Sequence, residues 1–211
     1  PLYNFWIQLQ QFGTELKDKL VEYKSLYPNP DTARELFVES KELVNDETID
    51  SLDRAARFYI VNKCSFSGLT ESSSFSQQAS ISNFSMNGIE KLTGYQELIV
   101  NWKITNNNYN NLLTDDESIV TYLDPPYEIK SNLYGKKGNM HKGFDHDGFA
   151  TVCDQFDGHQ LISYNSSQLI RDRFKEWTVA EFAHTYTMRS VGCYNRVQAQ
   201  RKELVLFNYE V

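Results

Sequence analysis

Asp124-Pro125-Pro126-Tyr127 carries residue types that can activate a poorly nucleophilic aromatic amine. Such an amine delocalises its lone pair into the ring, and an acceptor on each of its hydrogens frees that pair. The Asp124 carboxylate can be one acceptor. The Pro125 carbonyl can be the other, because proline keeps its acceptor while losing its donor. Tyr127 adds a flat face against which a base swung out of a duplex can stack. An amine freed in this way can attack an electrophile held in line, which needs positioning and polarisation, with no covalent intermediate.

The strip needs a scaffold, and 119–123 reads as a strand that delivers it. In an open α/β sheet, ligands bind where strands finish. Consecutive prolines cannot continue a sheet ladder, so Pro125 and Pro126 hold Asp124 and Tyr127 at a fixed spacing beyond it. A strand ending in an inert Pro-Pro turn is the bland alternative, and the leading acidic residue argues against it. After Gly94, apolar runs at 97–104, 119–123, 159–164, 179–186 and 203–209 predict strands. Helices at 145–156 and 167–177 alternate with them, which is the pattern of an α/β class. The last two strands have no helix between them and predict an antiparallel hairpin with 190–195 as its connection.

The first part of the chain has a different period. Leu2, Phe5, Trp6, Leu9, Phe12, Leu16, Leu20 and Tyr23 recur at spacings of three and four, so a long helix is expected over 2–27, with a break at Gly13. Asp31 or Thr32 is expected to cap a second helix over 33–44, and Asp46 or Thr48 a third over 49–63. The serine-rich stretch 65–85 predicts loops with a short hairpin, pinned by Phe66, Phe75, Ile81 and Phe84. Trp6, Trp102 and Trp177 read as packing anchors rather than stacking platforms. The chain opens at Pro1, without Met, on residues that read as the inside of a helix, which predicts a segment upstream.

A formal net charge of -7 argues against coating nucleic acid by bulk attraction, since phosphate binding needs Lys and Arg to replace counterions. Lys130, Lys136, Lys137 and Lys142, with His141 among them, form one locally basic segment. Cys64, Cys153 and Cys193 are odd in number and far apart, which predicts reduced thiols in a cytosol-like compartment. No apolar run approaches the roughly 20 residues that span a bilayer, so no membrane partner is expected. His141, His146, His159 and His184 lack metal-ligand spacing, and no metal is expected. Neither a nucleophile triad nor a phosphate-binding glycine loop is present.

Asp124-Pro125-Pro126-Tyr127, preceded by Asn62-Lys63-Cys64-Ser65-Phe66-Ser67-Gly68-Leu69 and Asn83-Phe84-Ser85, resembles the Dam-type DNA adenine-N6 methyltransferase family of bacteria and phages. Leu161-Ile162-Ser163-Tyr164-Asn165 is similar to that family's strand beside the target-base pocket, and Arg201-Lys202-Glu203-Leu204-Val205 to its last strand. The resemblance implies S-adenosylmethionine as cofactor, double-stranded DNA as partner and a cytoplasmic setting in a bacterial or virus-infected cell. It implies a partial Rossmann-like methyltransferase sheet with an inserted helical and loop-rich target-recognition subdomain. Residues 1–29 would then be a helix of the catalytic domain, 30–94 the recognition subdomain and 95–211 the catalytic domain.

By the same resemblance, Asp124, Pro125, Pro126 and Tyr127 are catalytic, and Asn108 and Tyr109, with Asp124, seat the cofactor. Arg54, Arg57, Lys130, Lys136 and Lys137 would meet DNA phosphates, which position a duplex without reading its sequence. The chain departs from the family in lacking the glycine-rich turn that wraps the cofactor's methionine part. That departure predicts help from an upstream segment or a second chain. It also leaves open an alternative, a catalytically silent DNA-binding or partner subunit of the same fold.

Overall fold

The computed structural model describes residues 1–68, 74–128, 143–185 and 200–210, which fall into two compact units, Pro1–Asn106 and Asn107–Val211. The first unit is helical. Helix α1 (Leu2–Leu26) buries Phe5, Leu9, Leu16 and Leu20 along one stripe, the spacing that the sequence predicts. Its backbone breaks from helical geometry at Phe12, one position before the expected Gly13. Gly13 matters differently: a Cβ there would meet the Gln96 side chain at 2.5 Å, and Gln96 donates to the Gln10 carbonyl at 3.2 Å.

Helix α2 (Pro30–Leu43) is capped by Asn29 and α3 (Ser51–Cys64) by Asp50, each accepting from backbone amides of the first turn. The caps expected at Asp31 or Thr32 and at Asp46 or Thr48 are corrected accordingly. Pro30 occupies the first helical position, where its missing donor costs nothing. Asp46 instead closes its own turn onto Thr48. Ala55, Ala56, Ile60 and Val61 of α3 are fully buried against α1 and α2, and each large apolar side chain so buried contributes roughly 1.5–3 kcal/mol.

The described part of the serine-rich stretch holds more helix than expected. After a 3-10 turn (Phe66–Gly68), Ser65 bridges to Phe75, and short helices α4 (Gln77–Ser82) and α5 (Met86–Glu90) follow, capped by Ser76 and Ser85. Phe84 is buried and Phe75 half-buried, whereas Phe66 and Ile81 are exposed, so two of the four expected anchors hold. Gly68 sits at φ +69, open to glycine at little cost, and its carbonyl accepts from Asn62 Nδ2 at 3.1 Å. The expected strand over 97–104 is corrected: α6 (Leu92–Ile99) covers its start. Leu92 and Ile99 lie on one helical face, two turns apart, and are buried, while Leu98 and Val100 point outward. Trp102 is exposed, not an anchor.

The second unit is a mixed α/β layer. A 3-10 turn (Tyr109–Leu112) precedes β1 (Val120–Leu123), followed by α7 (His146–Cys153), β2 (His159–Asn165), α8 (Gln168–Arg173), β3 (Thr178–Thr185) and β4 (Gln200–Phe207). Among the described residues the strands form one sheet in the order β1-β2-β4-β3. Strands β1 and β2 are parallel, and β4 runs antiparallel to both β2 and β3, as the absence of a helix between the last two strands predicts. The proposed connection 190–195 lies outside the described residues. Ile162, Tyr164, Leu204 and Leu206 bury against Phe149 and Cys153 of α7 and Ile170 of α8. Within the helical unit, α1 packs on α3 and α6.

Candidate active site

The strip lies where β1 ends. Leu123 pairs with Ile162 in parallel register, and both are buried. Side chains alternate across a strand, so Tyr122, Asp124 and Ser163 share the opposite face. Ser163 Oγ donates to Asp124 Oδ1 at 2.9 Å, and the Tyr122 hydroxyl lies 2.9 Å from the same Ser163 oxygen. Asp124 itself is exposed, Pro125 is buried and Tyr127 is half-buried. The prolines thus turn the chain so that a carboxylate faces solvent while the aromatic ring returns to the sheet.

Tyr127 stacks on Tyr164 of β2, with ring centroids 6.2 Å apart and planes inclined by 26°. Burial raises the Tyr127 hydroxyl pKa, partly offset by Ser163 beside it, so the group is a neutral phenol. The end of the strip is fastened twice. Asn165 Oδ1 accepts from the Glu128 amide at 3.0 Å, and Arg173 Nη1 donates to the Glu128 carboxylate at 2.7 Å. Arg173 also pairs with Asp147 of α7. His146 bonds through Nδ1 to the Tyr164 hydroxyl, and burial lowers its pKa.

Tyr109 belongs to the same aromatic cluster. Its ring meets Phe149 edge-on at 5.1 Å, and Phe149 in turn meets Tyr164 at 6.4 Å. Asn108 is exposed and caps the 3-10 turn, with its Oδ1 3.4 Å from the Asn110 amide. Hence Tyr109 and Tyr127 are joined through two intervening rings. Cys153 lies in this core with its thiol pushed up to about 12 by burial, which makes it a poor nucleophile.

A family model for D12 class N6 adenine-specific DNA methyltransferase matches residues 1–189, most of the chain. The chain belongs to this family. The catalytic class that follows is S-adenosylmethionine-dependent methylation of adenine in DNA. No curated protein matches the chain. Among the described residues no helix is long and apolar enough to cross a membrane, and no group of three or more His, Cys, Asp or Glu is placed to hold a metal ion.

Arg57 is buried, with Nε 2.7 Å from Asp53 Oδ2 and Nη2 3.0 Å from Oε1 of the half-exposed Glu39, so protein carboxylates hold its guanidinium. Arg54 is partly covered and faces the exposed Glu47 carboxylate at 3.8 Å. Lys130, Lys136 and Lys137 lie outside the described residues, as do His141, Lys142 and Cys193. Sequence reasoning placed 161–165 beside the target pocket but did not single out Ser163, Asn165 or Arg173. Alternation along β2 carries the signal for the first two, which fall on the face opposite the buried Ile162 and Tyr164.

Proposed function

We propose that this chain transfers a methyl group from S-adenosylmethionine to the exocyclic amine of adenine at specific sites in duplex DNA. Asp124 and the Pro125 carbonyl accept the two amine hydrogens, and Tyr127 stacks the extruded base. The observation that carries the reading is Asp124, exposed at the end of β1 with one carboxylate oxygen fixed by Ser163. Its Oδ2 takes no partner among the described residues and is open to an amine hydrogen. Fixed acceptors aimed at a developing positive nitrogen need no reorganisation during transfer.

Asn108 and Tyr109 are the residues we assign to the cofactor, which supplies an electrophilic methyl on sulfur when bound. The fit is chemical: an exposed amide beside an aromatic ring suits a purine with a hydrogen-bonding edge and a flat face. Both residues precede β1 in the unit that carries the strip. On this reading the sheet unit is the Rossmann-like catalytic part, residues 30–94 serve as an inserted recognition subdomain, and the protein works in the cytoplasm. Arg54 and the lysines Lys130, Lys136 and Lys137 are the proposed phosphate contacts.

The test is transfer of labelled methyl from S-adenosylmethionine to adenine in duplex DNA by the chain and by Asp124→Ala. Incorporation by the first and a loss of at least about 100-fold in the second are expected. Equal incorporation removes the assigned mechanism. DNA binding by both without incorporation by either marks a silent DNA-binding subunit.

A further inference from the structure

We infer that Ser163 is a positioning residue of the transfer reaction, holding one oxygen of Asp124 so that the other is presented to the target amine. The inference rests on the assignment of Asp124 as an acceptor for that amine. It begins with proton bookkeeping. A serine hydroxyl has one proton and an ionised carboxylate only accepts, so the 2.9 Å contact from Ser163 Oγ to Asp124 Oδ1 uses the proton of Ser163. The Tyr122 hydroxyl, 2.9 Å from the same oxygen, must then donate to it. The direction of the chain is therefore Tyr122 to Ser163 to Asp124.

Geometry explains why the carboxylate needs this help. Asp124 is exposed, and the terminal torsion of an aspartate is broad, so an unheld carboxylate would sample many orientations. Ser163 sits on β2 one residue beyond the Leu123–Ile162 register pair, on the face that Tyr122 and Asp124 share. Its backbone pairs with Val205 of β4, and the residue before it, Ile162, pairs with Leu123 of β1. A rigid central strand thus fixes the rotation of a side chain that its own rigid turn leaves free.

The experiment compares Ser163→Ala, Ser163→Thr, Tyr122→Phe and Asp124→Ala in the full chain, with duplex DNA and labelled S-adenosylmethionine. Ser163→Ala should lower kcat about tenfold, with KM for DNA and the thermal midpoint unchanged, because a hydrogen bond to a charged group is lost at the reacting acceptor. Ser163→Thr keeps the hydroxyl and should restore kcat to within about threefold. Tyr122→Phe should cost about threefold, and nothing further in the Ser163→Ala background. A readout independent of turnover is the 13C resonance of the Asp124 carboxyl, expected to move in Ser163→Ala and to stay in Ser163→Thr.

Wild-type kcat or an unmoved carboxyl resonance in Ser163→Ala, with Asp124→Ala inactive, overturns this inference alone. So does a loss of kcat that tracks a lowered thermal midpoint and is not rescued by threonine. Wild-type kcat in Asp124→Ala overturns the underlying assignment instead.

Discussion

Each unit holds a chain of hydrogen-bonded polar side chains, and the two chains end differently. In the helical unit, Tyr23 donates to Asp53 at 2.5 Å, Asp53 accepts from Arg57, and Arg57 reaches Glu39. Lys19 adds a further contact to Asp53 at 3.4 Å. Arg57 is 7% exposed, and both Asp53 oxygens are taken. In the sheet unit, Tyr122, Ser163 and Asp124 form a chain at the surface that stops at a carboxylate oxygen unshared among the described residues. A network whose central carboxylate is fully taken by its neighbours locks packing. One that ends on a solvent-facing acceptor has capacity left for a substrate.

That contrast is broken first by Arg57→Ala. Removing Arg57 takes a charged hydrogen-bond partner from Asp53, with Tyr23 and Lys19 remaining, so the substitution should cost about 1.5–3 kcal/mol of folding free energy, measured by denaturant unfolding. Methyl transfer per folded molecule should remain. Asp124→Ala should do the reverse, leaving the unfolding midpoint in place while transfer falls by at least about 100-fold. Loss of stability by Asp124→Ala, or of transfer by stably folded Arg57→Ala, would erase the distinction.

Gly158→Ala sharpens the comparison within the sheet unit. Gly158 precedes β2, its amide donates to the Thr114 carbonyl at 3.0 Å, and an added Cβ would lie 2.1 Å from that same oxygen. Backbone must move to admit it, at about 1–3 kcal/mol, and thermal melting should show the loss. Because β2 carries Ser163 and Asn165, transfer should fall with it.

The smallest effect is a difference in pH response. Burial, with Arg173, holds His146 below 6.5 against the opposite pull of Glu128, Asp147 and Asp145. The unfolded chain therefore binds that proton more readily, so the contribution is full above pH 6.5 and is lost as pH falls through the lower folded value. Burial would raise the Asp53 carboxyl, but hydrogen bonds from Tyr23 and Arg57 outweigh it and hold it below 3.8. Its contribution is full above pH 3.8 and is lost only below that. Hydrogen exchange during acidification should show the sheet unit loosening before the helical one, and His146→Phe should remove the earlier step.

Long periodic stretches were legible because burial imposes their period. Leu9, Leu16 and Leu20 face one core, and β2 alternates buried with partly exposed residues from His159 to Asn165. Ambiguity entered where apolar runs were short. The run around Ile99 reads as a strand from its apolar residues, and tertiary packing overrode that reading, with Gln10 Nε2 reaching the carbonyls of Ile99 and Trp102 at 2.7 and 2.8 Å. Cap residues shifted by a few positions for a related reason, since several neighbouring polar side chains can accept the same orphan amides.

Sequence by itself determined the chemistry on offer: a carboxylate, two prolines and a tyrosine after an apolar strand, in an order that needs no partner to be read. It also determined the family to which the chain belongs. Only tertiary structure decided that Arg57 is an interior cation and that Ser163 grips Asp124. A side chain's charge is written in its residue type, but whether that charge is spent inside or kept for a ligand depends on neighbours far away in the chain. Ser163 comes 39 positions after Asp124 and meets it only because β1 and β2 pair in one register.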